Sequence, residues 1–404
     1  MYILIFNHYA GSPYHGMEYR PYYLSREWVK SGHGVTIVAA TQSHIRTHNP
    51  DYKKKVTEEH IDGIKYAWIR TRKYTGNGIG RVLNMLDYIK GVYNMMPQLI
   101  KENPDVVIAS STYPLDNYPA YKIAKKLNAK YVYEVHDLWP LSPMELGGYS
   151  KCHPFIVIMQ LAENFAYKHV DKVVSILPCA EQHMKEHGLA AGKFVYIPNG
   201  ISQEEKNNSE SLDEKTKILF PTGKFIVGYT GTFGLANSLE TMLFVASILQ
   251  KDYPGILFVF IGKGPEKENL MELREKLNLA NLIIIDAVPK EQIQQVIACF
   301  DMCIITWNKQ PLYRFGISPN KIFDYMYAGK PIIQAIEAGN DMVADANCGI
   351  TVEPENPQAI ADGILKLYTM SRKEREKLGN NGKQYVLANH AYHILAKQFL
   401  EAIC

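Results

Sequence analysis

Short apolar runs rich in β-branched residues alternate with helix-length segments along almost the whole chain, and this alternation occurs twice. Such runs predict strands buried on both faces, as in parallel sheets covered by helices. The strands predicted in the first half are Tyr2–Phe6, Val35–Ala39, Val106–Ala109, Tyr131–Val135, Lys172–Ile176 and Phe194–Ile197. Those predicted in the second half are Phe225–Tyr229, Leu257–Ile261, Leu282–Asp286, Met302–Thr306, Pro331–Gln334 and Gly349–Val352. The sequence therefore predicts two doubly wound, Rossmann-like α/β domains that face each other across a cleft.

A polar stretch between the halves gives the domain boundary. With 404 residues, the chain is too long for one ordinary core. Residues 201–224 lack apolar periodicity, which is typical of a linker. We predict an N-terminal domain at residues 1–200 and a C-terminal domain at 225–385. The last segment, 386–404, is predicted to form a helix that returns to the N-terminal domain.

The composition excludes several classes of protein. Apolar residues make up 47% and charged residues 21%, a balance typical of soluble globular proteins. The net charge of +3 is too small to indicate a nucleic-acid partner. Met1–Phe6 is too short for a signal peptide, and no run approaches the ~20 apolar residues that span a bilayer. The six cysteines form no C-x-x-C pair, so we expect reduced thiols, no metal site and a cytoplasmic location.

Charge and aromatic residues divide unequally between the halves. Residues 1–200 carry 23 Lys and Arg against 17 Asp and Glu, whereas residues 201–404 carry 21 against 24. The first half also holds 11 of the 13 histidines and 19 of the 27 tyrosines. This division suggests that the domains bind different ligands, with chance composition as the alternative.

Two predicted strands of the second half run into glycine-rich turns. Gly231 and Gly234 lie in the first turn, and Gly262 and Gly264 lie in the second. A helical pattern over Leu235–Gln250 follows the first turn. Glycines allow the backbone to approach a ligand closely, and N–H groups at a helix start bind anions. The turns are candidates for binding a diphosphate, although a plain strand–helix turn has the same pattern.

A third segment of that half reads as the start of a helix. Ser318 is predicted as the N-cap and Pro319 as the first helical residue. Lys321 would add a formal charge to this helix end, and Asp324, one turn later, could accept hydrogen bonds from ribose hydroxyls. The alternative is a solvated ion pair. With the glycine turns, the segment predicts a phosphate-binding cleft at the carboxyl ends of parallel strands.

Two segments of the first half carry polar and aromatic side chains after predicted strands. His136, Asp137 and Trp139 follow one strand and are candidates for orienting a sugar. Tyr14 and His15 lie in a glycine-containing loop after the first strand. A structural histidine and a plain loop are the respective alternatives.

The motifs together resemble a known family over almost the whole chain. They are Gly16–Arg20, Ser31–Thr36, Glu134–Pro140, Glu145–Gly148, His153–Pro154, Ile197–Gly200, Gly228–Gly234, Gly262–Pro265 and Ser318–Pro331. In this order they are similar to glycosyltransferase family 4, which has the GT-B fold. The similarity is greatest to the bacterial subgroup that builds O-antigen and capsule repeat units, including L-N-acetylfucosamine transferases.

The resemblance implies a retaining transfer from a nucleotide-diphosphate sugar. His136 would touch the donor sugar near the reacting centre, and Lys321 would neutralise the leaving group. The candidate donor-binding residues are Gly16, Gly231, Thr232, Gly234, Asn237, Gly262, Gly264, Arg314, Ser318, Asn320 and Asp324. The candidates for contacting the acceptor are Tyr14, His15, Asp137 and Trp139.

The chain departs from the family pattern at two points. Gly316 stands where the first carboxylate of the E-x7-E motif is expected, and Leu235–Ser238 replace the usual Arg/Lys pair. Asn237, Arg314 or Lys321 are candidates to substitute for them. The chain also contains no D-x-D triplet, so we predict a metal-independent reaction with no cofactor besides the nucleotide-sugar, which we expect to be UDP-linked.

The predicted helix Arg81–Lys101 has an apolar face next to basic residues. The face comprises Val82, Leu83, Leu86, Ile89, Val92, Tyr93, Met96, Leu99 and Ile100. The basic residues are Lys53, Lys54, Lys55, Arg70, Arg72, Lys73, Arg81 and Lys90. Together they suggest peripheral docking on the anionic inner face of the cell membrane, where a polyprenyl-diphosphate-linked sugar would be the acceptor. An ordinary amphipathic helix packed on the sheet is the alternative.

Two other functions fit the same sequence. A UDP-sugar 2-epimerase or hydrolase would share the two-domain scaffold. A nucleotide-sugar-binding regulator would bind the donor without turnover.

Overall fold

A computed structural model of the chain describes residues 1–76, 78–204, 211–212, 217 and 220–404. The predicted linker at 201–224 falls in large part outside these residues. The described chain forms two compact units. The first comprises Met1–Asn199, Phe315–Ile317 and Tyr392–Cys404, and the second comprises Gly200–Arg314 and Ser318–Ala391. The structure has the two parallel-sheet α/β units of the predicted GT-B fold.

The first unit is built on an eight-stranded sheet. Its strands are β1 (Tyr2–Phe6), β2 (Gly34–Ala40), β3 (Val56–Ile61), β4 (Ile64–Ile69), β5 (Val106–Ala109), β6 (Lys130–Val135), β7 (Lys172–Ser175) and β8 (Phe194–Tyr196). Their order is β3-β4-β2-β1-β5-β6-β7-β8. All neighbouring strands are parallel except β3, which pairs antiparallel with β4.

The β3–β4 hairpin at the sheet edge was absent from the predicted strands. Thr57, Glu58, Glu59 and His60 fill most of β3, whose residues are half-buried or exposed. An antiparallel edge strand can leave one face in water, so it needs no continuous apolar run. The predicted parallel sheet of the first unit thus carries one additional, antiparallel edge strand.

Helices cover both faces of the first sheet. They are α1 (Arg20–Lys30), α2 (Ile79–Lys101), α3 (Asn117–Leu127), α4 (Leu141–Gly147), α5 (Pro154–His169) and α6 (Glu181–Glu186). Tyrosines form much of the core of this unit, and Tyr66, Tyr88, Tyr113, Tyr133 and Tyr167 are fully buried. The abundance of tyrosine in the first half is therefore explained in large part by core packing.

The second unit has a six-stranded, all-parallel sheet. Its strands are β9 (Phe225–Thr232), β10 (Ile256–Lys263), β11 (Leu282–Ile285), β12 (Met302–Thr306), β13 (Ile332–Ala335) and β14 (Gly349–Val352), in the order β11-β10-β9-β12-β13-β14. Its helices are α7 (Leu239–Gln250), α8 (Lys267–Lys276), α9 (Ile293–Ala298), α10 (Asn320–Tyr327), α11 (Met342–Asp345), α12 (Pro357–Thr369) and α13 (Arg372–Asn389). Because β9 lies in the middle of the sheet, its carboxyl end is bordered by other strand ends on both sides.

The last helix of the chain, α14 (Tyr392–Ile403), belongs to the first unit. It packs on α1, where Trp28 Nε1 donates to the carbonyl of Ala396 at 2.9 Å. The Phe399 and Trp28 rings meet edge to face at 5.2 Å. The chain thus ends in the unit in which it began.

Two predicted helix starts were wrong. Leu235–Asn237 form a separate 3-10 turn, because Ser238 has a left-handed backbone (φ 46°), and α7 begins only at Leu239. Pro319 is extended (ψ 130°), so α10 begins at Asn320 and Ser318 does not cap it. The helix after the first glycine turn and the helix that contains Lys321 therefore both begin later in the chain than the sequence pattern predicts.

The face of α2 that packs on the protein also differs from the predicted one. Its buried residues are Asn84, Met85, Tyr88, Val92, Met95 and Leu99. Leu83 and Leu86 remain exposed, as does Ile79 at the start of the helix. Only part of the predicted apolar face is thus used for packing. None of the helices in the described ranges has the length and hydropathy needed to cross a membrane.

Candidate functional site

The glycines of the second unit hold two strand ends in close contact. Gly231 near the end of β9 pairs in register with Gly262 of β10. A Cβ atom at Gly262 would lie 1.8 Å from the carbonyl oxygen of Gly231, so no other residue fits there. Gly231 itself has φ 145°, a conformation that side chains disfavour. Close packing therefore requires glycine at position 262, and the backbone conformation favours it at position 231.

The turns beyond these strands have unequal steric demands. A Cβ atom at Gly264 (φ 159°) would lie 2.2 Å from the carbonyl oxygen of Phe233, so the two turns are packed backbone to backbone. Gly234 is extended, and a Cβ atom there would lie 3.7 Å from its nearest neighbour, Cγ2 of Thr232. The packing therefore requires Gly264 and leaves Gly234 as an open position beside the turn.

Lys321, in the first turn of α10, points its ammonium at the carboxyl end of β9. Its Nζ donates to the Tyr229 hydroxyl at 2.8 Å and to Asn237 Oδ1 at 2.7 Å. It also lies 4.4 Å from the centre of the Tyr229 ring. A Cβ atom built on Gly231 would be 3.2 Å from this Nζ. The structure thus joins four residues from three segments into one cationic position.

The partners of this lysine are all uncharged. Within the described part of the chain, no carboxylate forms an ion pair with Lys321. Burial disfavours the ammonium and lowers the pKa of Lys321 to about 7. A buried cation without an anion is stabilised by binding one. The position is therefore suited to an anionic ligand such as a phosphate.

Asn237 orients the lysine from the 3-10 turn. Its Oδ1 accepts from Lys321 and from Trp307 Nε1 at 3.3 Å, and its carbonyl accepts from the Thr306 hydroxyl. Asn237 therefore stands where a basic residue was expected and holds another basic side chain in place. Tyr229 and Trp307 were missed by the sequence analysis, although Tyr229 lies inside the glycine motif.

The remaining predicted donor residues differ in their burial. Thr232 and Asn320 are exposed, and Ser318 is buried. Arg314 is exposed and donates to the carbonyl of Pro311 within its own 3-10 helix. Asp324 is half-buried one turn after Lys321. Gly316, where a carboxylate was expected, is buried with φ 98°.

A second polar network lies at the carboxyl end of β6 in the first unit. Arg20 Nε donates to Glu134 Oε1 at 2.9 Å, and both side chains are buried. The Arg20 guanidinium also donates to the carbonyls of Ile197 and Pro198. Burial opposes ionisation of Glu134, but Arg20 and His136 outweigh it and hold the pKa of this carboxyl well below its usual range. Arg20 and Glu134 thus form a fixed ion pair beneath His136.

His136 is oriented by this ion pair. Ser110 Oγ donates to Glu134 Oε2 at 2.6 Å and lies 3.0 Å from His136 Nε2. Because the single Ser110 hydroxyl proton is used, Nε2 must be the donor in the second contact. Burial lowers the pKa of His136, but the bond and charge of Glu134 reverse this and raise it. Nδ1 is then the nitrogen left for a ligand, from which it accepts in the neutral ring and to which it donates in the imidazolium.

Residues of the loop after β1 contact one another. Gly16 has φ 88°, and its backbone forms bridges to Ser12 and Arg46. In its predicted role it would contact the donor through its backbone. His15 is buried, and its nitrogens lie 2.9 Å from Ser12 Oγ and 3.6 Å from Glu59 Oε2. The structure therefore places His15 as a support of the loop, not as a surface for an acceptor. Tyr14 is exposed and stacks on the His48 ring.

Asp137 and Trp139 line an open pocket of the first unit. Arg81, Ser142 and Leu146 also line it. The Arg81 guanidinium lies 5.7 Å from the Trp139 ring and 5.5 Å from the Tyr9 ring. Asp137 is exposed, and Trp139 is half-buried. The pocket thus combines a carboxylate, a cation and an aromatic ring.

Family models match both units. The model "Glycosyl transferase 4-like domain" matches residues 15–200, and "Glycosyl transferases group 1" matches residues 210–385. Together they cover most of the chain.

Curated relatives match over a shorter length. An uncharacterized glycosyltransferase of Methanocaldococcus jannaschii is 23% identical over 58% of this chain and 58% of its own length. The chitobiosyldiphosphodolichol beta-mannosyltransferase of Candida albicans is 23% identical over 54% of this chain and 50% of its own. The putative teichuronic acid biosynthesis glycosyltransferase of Bacillus subtilis is 22% identical over 54% and 53%. The chain thus spans about half the length of these relatives.

Solved structures match over nearly the whole chain. Sucrose-phosphate synthase from Thermosynechococcus elongatus has a TM-score of 0.73 at 17% identity, covering 99% of this chain and 97% of that one. Anabaena HepE in complex with UDP has a TM-score of 0.69 at 13% identity, covering 99% of both. WaaG, involved in lipopolysaccharide biosynthesis, has a TM-score of 0.67 at 15% identity, covering 100% and 99%. The fold and both domain models agree, and the chain belongs to the GT-B glycosyltransferases with a glycosyltransferase 4-like domain and a group 1 domain.

Proposed function

We propose that the protein is a retaining glycosyltransferase that moves a sugar from a UDP-sugar to a lipid-linked acceptor in the assembly of a surface glycan. The observation that carries the proposal is the cationic position of Lys321 at the carboxyl end of β9. The UDP named in the solved Anabaena structure supports a uridine nucleotide. The retaining outcome and the O-antigen or capsule role follow from the resemblance in the sequence motifs.

Departure of the nucleotide is the step for which the second unit is suited. Breaking the bond between the sugar and the diphosphate leaves negative charge on the phosphate oxygens. Lys321 can neutralise that charge, and Asn237 holds its ammonium at the carboxyl end of β9, next to Gly231. Both groups are held in place before the ligand binds, which reduces the reorganisation needed during the reaction. In this proposal Asp324 binds the ribose, and no metal is needed for the departure.

His136 is proposed to act on the donor sugar. Its Nδ1 is the nitrogen that Ser110 and Glu134 do not occupy, and its raised pKa favours a proton there. A donor at this position can bind a sugar hydroxyl or partly neutralise the leaving group. In the front-face mechanism that the family resemblance implies, the departing phosphate helps to deprotonate the acceptor.

The acceptor is proposed to be a polyprenyl-diphosphate-linked sugar at an anionic membrane. The dolichol-linked substrate in the name of the Candida relative supports a lipid carrier. In the first unit, Leu83, Leu86 and Ile79 expose apolar side chains along α2. A groove near this helix is lined by Lys55, Arg70, Arg72, Lys73 and Lys90. Exposed apolar and basic side chains on one side are what an anionic bilayer surface binds.

Vesicle flotation tests this surface. Lys53, Lys54 and Lys55 are exposed, so replacing all three with Glu should weaken binding to anionic vesicles without unfolding the protein. Each basic residue near such a surface contributes about 1 kcal/mol, so the triple change should weaken binding by at least 100-fold. Lys366→Glu, Lys373→Glu and Lys377→Glu in the second unit provide a variant of equal net charge. Equal flotation of both variants would show that Lys53, Lys54 and Lys55 do not contribute to membrane binding.

A thermal-shift screen of nucleotide-sugars tests the donor. A ligand that binds only the folded state raises Tm, and we expect UDP-sugars to do so. Incubation of that UDP-sugar without acceptor then separates the reaction classes. A transferase turns over slowly, whereas an epimerase or hydrolase turns over fully. A regulator without activity would give the thermal shift but no turnover of the UDP-sugar, with or without an acceptor.

A further inference from the structure

A carboxylate and two imidazoles that were given no role above meet in the first unit. Glu163 lies on α5, and His183 and His187 lie one turn apart at α6. One ligand atom from each residue lies within 4.8 Å of the other two. His183 Nε2 and Glu163 Oε1 are 4.0 Å apart. The sequence analysis expected no metal site from the cysteine spacing and the missing D-x-D triplet, and did not consider this group, whose histidines lie 20 and 24 residues after the carboxylate.

Glu163 is buried without a lysine or arginine partner in the described part of the chain. Its side chain is 1% exposed, and its oxygens accept from the Tyr167 hydroxyl at 2.9 Å and from Gln160 Nε2 at 2.8 Å. Within the described ranges, no lysine or arginine forms an ion pair with it. Buried carboxylates are normally paired with a cation or bound to a metal. The carboxylate is thus held in a fixed orientation beside two imidazoles.

The histidines have the geometry of metal ligands. His187 Nδ1 lies 2.8 Å from the carbonyl oxygen of His183, to which it can only donate. Its Nε2 is therefore the nitrogen through which this ring would bind a metal ion. The two rings are 4.3 Å apart, so small side-chain rotations bring their nitrogens to one ion. Ligands about 2.1 Å from a tetrahedral ion lie roughly 3.4 Å from each other, which needs only a modest contraction.

We propose that Glu163, His183 and His187 form a binding site for one divalent transition-metal ion, with Zn²⁺ as the ion that the donor set favours. Two imidazoles and one carboxylate are a common set of three protein ligands for zinc, with water as the fourth ligand. Bound there, the ion would join α5 to α6. This proposal does not depend on the transferase reaction.

Zinc titration of the untagged full-length protein, after EDTA treatment and dialysis, tests the site. Calorimetry should show one equivalent of Zn²⁺ in the wild type that His187→Gln lacks. His169→Gln is the matched control, because His169 is also half-buried and its Nδ1 lies 2.8 Å from a carbonyl oxygen one turn earlier. This control should keep the equivalent. Glu163→Gln, if it folds, should lose it as well.

Cobalt substitution separates this site from the exposed thiols of Cys152, Cys179 and Cys404. Co²⁺ at the proposed site should give d–d absorption that disappears in His187→Gln, without the charge-transfer band of a thiolate ligand. A thiolate band that persists in His187→Gln indicates binding at cysteines. Equal Zn²⁺ stoichiometry in the wild type and His187→Gln, or no binding in either, would overturn the proposal.

Discussion

The affinity for a nucleotide-sugar should depend on pH through Lys321. The unliganded protein holds this lysine at a pKa of about 7, because burial disfavours the ammonium. A phosphate oxygen about 4 Å away would stabilise the ammonium by about 4 kcal/mol at an effective dielectric constant near 20. Lys321 is only half-buried, so we take about half of that value. The bound state then has a pKa of roughly 8.5, since about 2 kcal/mol corresponds to 1.5 pKa units.

The sign and size of the effect follow from proton linkage. Below pH 7 the ammonium is present before the ligand arrives, so affinity is greatest there. Above pH 7 binding must take up a proton, and Kd should rise about 20-fold between pH 6 and pH 9. The diphosphate of a nucleotide-sugar does not titrate in this range, so calorimetry with a UDP-sugar in matched buffers reports the protein group.

Two variants decide whether Lys321 is that group. Lys321→Met should bind about 30-fold more weakly than the wild type at pH 6 and show no dependence on pH. Lys309→Met is the control, because Lys309 is already paired with Glu353 at 2.8 Å, and it should keep the wild-type profile. A wild-type Kd that stays constant from pH 6 to pH 9, or a Lys321→Met profile with the wild-type slope, would refute the reasoning.

Three further predictions concern stability and metal dependence. Lys321→Met should raise the free energy of unfolding by about 1–2 kcal/mol at pH 7, because the lysine holds its proton up to pH 10.5 in the unfolded chain and loses it near pH 7 in the folded one. Chemical denaturation should show this gain vanishing as the pH approaches 10.5. A variant that is less stable than the wild type at pH 7 would contradict the prediction. Glu134→Gln should lower the free energy of unfolding by about 3 kcal/mol, since it leaves Arg20 as a buried unpaired cation. Ser110→Ala, which removes one hydrogen bond, should lower it by about 1 kcal/mol. Equal effects of the two substitutions would argue against the ion pair. Sugar transfer should survive brief EDTA treatment, measured as released UDP, and complete loss restored by Mg²⁺ or Mn²⁺ would disprove metal independence.

The sequence predicted the fold closely where strands are buried on both faces. All predicted strands correspond to observed ones, because a parallel strand needs an apolar run that is visible without neighbours. β3 was missed for the opposite reason, since it alternates with solvent and carries polar residues, whereas β4 was missed although residues 66–69 are buried. The start of α10 was misplaced because Pro319 can begin a helix or precede one, and only its observed backbone distinguishes the two.

The candidate site was predicted in part. The glycines and Lys321 carry local signals, namely strand-to-turn patterns and a lysine near a helix start. The role of Asn237 as a partner of Lys321 depends on residues 84 positions apart, which no spacing rule reveals. The same holds for Glu163 and the two histidines of α6, which only the packing of α5 brings together.

Transfer of radiolabelled sugar from a UDP-sugar to a membrane lipid extract tests the central claim most directly. The wild type should move label into the lipid fraction and release UDP in step with it. Lys321→Met should do so at least about 30-fold more slowly at subsaturating donor, whereas Lys309→Met should match the wild type. Release of UDP at the wild-type rate without any lipid extract, or undiminished transfer by Lys321→Met, would contradict the account.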